Sequence, residues 1–92
     1  STRAYPYSVG NTKTSEWGKV RSIFCDEDNM WVGTAENGLK RVDLKNNKFK
    51  SFEVDEKDNN KLQSLTVRDI IKDSSGDIWI ATEKGISEFI KI

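Results

Sequence analysis

MWVGTAENGL (residues 30–39) returns as IWIATEKGI (residues 78–86). Both stretches open on an apolar residue and Trp, continue through a β-branched residue, a small residue and Thr, and close on Gly and a branched aliphatic. The likeness extends outward. Val20, Arg21 and Ile23 precede Val67, Arg68 and Ile70 by 47 positions, and Gly38 precedes Gly85 by 47. Trp31 precedes Trp79 by 48, because the turn before Trp79 is one residue longer, and the next turn recovers the difference. Length changes at turns with strands conserved between copies mark a structural repeat, and this period falls in the range of stacked supersecondary units.

Each unit reads as four short strands: 20–26, 30–35, 39–45 and 48–54 in the first copy. Asp28-Asn29, Asn37-Gly38 and Asn46-Asn47 separate them, residues that tolerate the positive φ of tight hairpins. The second copy repeats the first three as 67–73, 77–82 and 85–91. RAYPYSV (3–9) stands where the last strand of a preceding unit would stand, with Tyr5 47 residues before Phe52. Pro6, having no N–H to donate, suits an outermost strand. Naming the strands a to d from first to last, the chain reads d-a-b-c-d-a-b-c. Residues 1–19 are an outer strand and loop, 20–54 a full unit, 55–66 a link, and 67–92 a unit without its outer strand. No segment has convincing helical character.

The early strands are apolar front and back. In 30–35, Met30 and Val32 point one way and Trp31, Gly33 and Ala35 the other. A strand apolar on both faces is expected to be covered on both. The last strand of the unit, KFKSFEV, is more polar. Small sheets stacked around an axis, buried inside and wet outside, produce that gradient. The expected fold is therefore all-β, two four-stranded antiparallel β-propeller blades per chain. Trp31, Trp79, Ile23 and Ile70 are expected in the core, with Gly33 and Ala81 small so that sheets approach closely. Cys25 is expected as a small core residue.

Composition narrows the function classes. The 92 residues carry 15 basic and 15 acidic side chains, so the formal net charge is zero. Nucleic-acid binding draws on clustered Lys and Arg, which argues against such a partner. No apolar run is long enough to cross a bilayer, and no stretch has the layout of a signal peptide. With no His and one Cys, the chain offers no zinc ligand set, no His-based triad and no internal disulfide. Glu16, Glu36 and Glu83 are candidate acids for hydrolysis, but nothing places two of them at a working separation. DEDN (26–29) and DSSGD (73–77) lack the full spacing of a calcium loop and read as ordinary turns. No metal, cofactor or catalytic residue is expected.

VRSIFCDEDNMWVGTAENGLKRVD (20–43) and VRDIIKDSSGDIWIATEKGISEF (67–89) resemble the two-component regulator propeller repeat, and FKSFEVDEKDNNKLQSLTVRDI (49–70) resembles the link between its blades. The pattern is Val and Ile, an Asp, a Gly-containing turn, apolar-Trp-aliphatic-Gly-Thr, then Gly-Leu. Ala81 replaces its Gly, Ile86 its Leu, and the DEDN turn lacks Gly. The resemblance implies a sensor part: such repeats form the extracytoplasmic, periplasmic propellers of bacterial hybrid two-component systems that respond to polysaccharide breakdown products. It implies a non-catalytic module and an oligosaccharide ligand. The alternative is a structural or protein-interaction repeat with no ligand of its own.

Two units leave sheet faces and edges uncovered. The expected partner is further blades or the chain itself, as a homo-oligomer completing a ring. For a ligand, the d–a and b–c loops (10–19, 35–38, 55–66, 83–84) share one end of the blades and are the longer set. Arg21 and Arg68, at equal positions on the innermost strands, line that mouth and suit carboxylates or sugar hydroxyls; structural pairing or solvation is the competing reading. Glu36 and Asn37 lie in the b–c loop. Trp17, in a polar loop, is either a stacking platform or a plug.

Overall fold

Sequence order becomes sheet order across residues 8–90, the part of the chain that the computed structural model describes. A two-stranded ribbon, β1 (Ser8–Val9) and β2 (Thr12–Lys13), leads into a short 3-10 turn at Thr14–Trp17. Four strands follow as one antiparallel sheet in the order β3-β4-β5-β6: β3 (Val20–Asp26), β4 (Asn29–Thr34), β5 (Leu39–Asp43) and β6 (Lys48–Ser51). After the linking loop, β7 (Val67–Lys72), β8 (Ile78–Thr82) and β9 (Gly85–Phe89) form a second antiparallel sheet in chain order. The protein is all-β, and the two sheets pack in the manner of neighbouring propeller blades. No described helix is long and apolar enough to cross a membrane.

Turn chemistry sets the hairpins. Asp43 Oδ1 accepts the N–H groups of Lys45 and Asn46, and Asn47 takes a left-handed φ of 54°. Between β3 and β4 the left-handed residue is Glu27 (φ 55°), so the turn sits one residue earlier than Asp28-Asn29 and Asn29 belongs to the strand. The 3-10 turn was not legible, because a single turn has no amphipathic period; it lowers Trp17 into the core. Of the proposed outer strand 3–9, residues 3–7, with Tyr5 and Pro6, lie outside the described residues. Its last two pair with Thr12–Lys13.

The main core lies between the sheets. Trp31 and Leu39 of the first meet Val67, Ile70, Ile78 and Ile80 of the second, with Leu62 from the link. Trp31 stacks on Phe52 (centroids 5.6 Å apart, 17° between planes) and meets Phe89 edge-on at 5.1 Å. The Arg41 guanidinium lies 5.4 Å from the Trp31 ring centre. A smaller core backs the first sheet: Val32 and Val42 beneath Val9 and Trp17, with Met30 and Phe49 alongside.

Four of the expected core positions differ. Ile23 is 58% exposed, because the covering ribbon reaches Val32 and Val42 but not the inner strand β3. Trp79 and Ala81 are only half-buried, since nothing among the described residues covers the second sheet's far face. Cys25 is exposed for the same reason as Ile23. Doubly apolar strands are thus covered on both faces in the first sheet's middle strand and on one face in β8. Trp31, Ile70 and Gly33 are buried as expected.

Candidate functional site

One end of the two sheets is built from the four loops expected to lie together. The Ala35 N–H donates to Lys19 O, Gly38 N–H to Leu65 O, and Glu83 N–H to Thr66 O. Asn37 Nδ2 donates to Trp17 O at 2.8 Å. Lys84 pairs with Glu56, tying the last turn to the linking loop. These bonds run across loops, so the end is a cross-braced platform.

Two buried threonines shape it, and the sequence reading missed their role. Thr34 Oγ1 donates to Gly38 O at 2.8 Å and accepts from Asn37 N–H at 2.9 Å. Thr82 Oγ1 donates to Gly85 O and accepts from Lys84 N–H in the same way. A hydroxyl is needed because it donates and accepts at once. That explains why Thr follows the small residue in both copies.

The arginines are placed by a device that hydropathy does not reveal. Between Val20 and Ser22, and again between Val67 and Asp69, the register of the inner strand shifts, leaving Arg21 and Arg68 as extra residues. Such bulges re-aim a side chain. Both side chains are exposed on the free inner edge, at the loop end. Their neighbours Ser22 and Asp69 approach to 3.5 Å across the sheets, so the bulges lie side by side. Neither guanidinium has an ion-pair or hydrogen-bond acceptor among the described residues.

The remaining candidates separate. Glu36 and Asn37 are exposed at the loop end. Trp17 is 4% exposed, its ring taken up by Phe49 at 5.1 Å; what it offers this end is its carbonyl. Glu16, Glu36 and Glu83 are all exposed. At the opposite end, Asp73 caps its own turn, accepting from Ser75 and Asp77 N–H, and accepts the Trp79 indole N–H at 2.7 Å. Asp73, Asp77 and Glu88 bring carboxylates within 4.8 Å of one another. The indole hydrogen bond, with the turn N–H groups, holds Asp73 below its usual range. Desolvation and the charges of Asp77 and Asp73 push Glu88 up.

A pH dependence follows. A depressed folded-state pKa adds stability above the unfolded value of 3.8 that is lost as pH falls through the folded value. Thermal melts of wild type and Asp73→Asn are therefore expected to differ most above about pH 4 and to converge below it. Glu88, being raised, has the opposite sign at higher pH. A constant difference between the two melts across this range removes Asp73 as the acid-sensitive group.

Beside the open edge of β9, a groove of about 380 Å³ runs between the sheets, lined by Phe52, Leu62, Ile80 and Phe89 with Lys50 and Glu53. It lies at the outer rim, away from the arginines. No curated protein matches the sequence. Residues 61–84, from the linking loop through β7 and β8 to the turn before β9, match the family model described as "Two component regulator propeller".

Proposed function

We propose that the chain is a non-catalytic ligand-binding part of a two-component regulator's sensor propeller, each sheet serving as a blade. The repeated bulge carries this reading: it leaves one exposed arginine on the inner edge of each sheet, at a braced loop platform, neither with an acceptor among the described residues. Exposed guanidinium pairs suit planar bidentate acceptors, which here means oligosaccharides through carboxylates or paired hydroxyls. Asn37 and Glu36 extend the polar surface. In this role the module works outside the cytoplasm and passes ligand occupancy to an output domain. Calorimetric titration with neutral and uronate-bearing oligosaccharides tests it. Binding is expected, with Arg21→Ala and Arg68→Ala each weakening it roughly 10- to 100-fold, the range for one charge-assisted contact. Binding indifferent to both substitutions, or none with either class, overturns it. The uncovered apolar face of the second sheet favours a second reading, an interaction repeat with no ligand of its own.

A further inference from the structure

We infer that a water molecule binds between the two sheets beside Trp31, accepting the indole N–H and donating to Asp26, because Lys72 draws Asp26 away from the indole. The repeat shows what the indole does when no lysine intervenes. Trp79 Nε1 donates to Asp73 Oδ2 at 2.7 Å. Trp31 and Asp26 hold the matching register. Trp31 pairs with Phe24 and Trp79 pairs with Ile71. In each copy the aspartate follows two residues after that partner, which puts it on the same face of the pleat. Yet Trp31 is 3% exposed, and its N–H has no acceptor among the described residues. Asp26, 7% exposed, accepts Lys72 Nζ from the facing sheet at 3.0 Å. A charged ammonium makes the stronger bond to a carboxylate, so it wins over a neutral indole.

A buried N–H without a protein acceptor is commonly met by an ordered water. The surroundings of Trp31 suit one. A cavity of about 40 Å³ lies between the sheets here, lined by Trp31, Asp26, Asn29 and Arg41, with Ile78 and Phe89 on its apolar side. One water needs roughly 10–15 Å³ and about two to four polar partners. Arg41 has only donors, so it cannot serve the indole. It lies over the Trp31 ring and donates to Asn29 Oδ1 at 3.4 Å. Asp26 can serve a water as well as Lys72, since an ionised carboxylate offers about four lone-pair sites. Charge and size exclude other occupants. Arg41 and Lys72 repel a cation, Asp26 repels an anion, and the volume is too small for a sugar. Water accepts and donates at once, which is what an indole N–H beside a carboxylate requires. One aspartate then serves both sheets, holding Lys72 directly and Trp31 through the water.

The indole N–H resonances test this, each assigned through its own backbone. In the wild-type chain the Trp31 N–H is expected to show cross-peaks at the water frequency that have opposite signs in NOESY and ROESY spectra, the signature of a bound water. Removing the competing ammonium is decisive. In Lys72→Met, Asp26 is expected to take the indole directly. The Trp31 signal then shifts downfield toward that of Trp79, and the water cross-peak is lost. The Lys72 side chain is 40% exposed, so the sheet tolerates the change, and an unmoved Trp79 signal confirms the fold. A wild-type chain with no water cross-peak at Trp31 overturns the proposal. So does a Trp31 signal and cross-peak that Lys72→Met leaves unchanged. Arg21 and Arg68 take no part, so the result stands apart from the sensor reading.

Discussion

Trp31→Ala is expected to cost about 3–5 kcal/mol, the range for deleting a fully buried aromatic. Trp79→Ala, at the matching position of the repeat, is expected to cost roughly 1–2 kcal/mol. The asymmetry comes from what covers each ring. Trp31 is 3% exposed, flanked by Phe52 and Phe89 and faced by Arg41. Its removal empties the centre of the one interface that joins the sheets. Folded domains hold about 5–15 kcal/mol in total, so this single change removes a large share of the stability. Trp79 lies half-buried on an uncovered face and loses mainly its hydrogen bond to Asp73. Denaturant titration measures both. Equal losses would mean that the second sheet's far face is as well covered as the first's.

Gly33→Ala is the second large effect. The added Cβ would stand 2.5 Å from Val67 Cγ1 and 3.1 Å from Val67 Cβ, and Val67 is fully buried. Val is stiff about χ1, so the sheets must move apart. Overpacking of this kind costs about 1–3 kcal/mol. Shortening the obstacle isolates the cause: in the double-mutant cycle with Val67→Ala, the two changes are expected to couple favourably by about 1 kcal/mol or more. Additive losses would place the strain elsewhere. Ala81→Gly, at the equivalent open position, is expected to cost only the strand penalty of glycine, about 0.5–1 kcal/mol.

The strands of the two sheets and their order were legible because the repeat shows the first three of them twice. Two aligned copies separate the turn residues, which vary in number, from Trp, Thr and Gly, which do not. The loop end was legible for the same reason, since a meander of four strands places alternate loops together. The arginine bulges were not. A bulge is a mismatch of register between two strands, and one strand's sequence carries no count of the other's pairing. The Thr34 and Thr82 clasps were hidden as well, because a Thr in a strand reads as β-propensity rather than as a donor and acceptor facing a loop.

What the sequence determined by itself is local and periodic: all-β character, the 47-residue repeat, which side chains share a face, and the resemblance to a propeller repeat. Alternation along a strand follows from the pleat alone, so Met30 and Val32 part from Trp31 and Gly33 in any context. Only the tertiary structure decided which of those faces are covered. Ile23 and Ile70, or Trp31 and Trp79, are interchangeable as sequence, yet one of each pair is buried and the other is not. Burial depends on the neighbour that arrives, and a residue's own chemistry does not specify its neighbour.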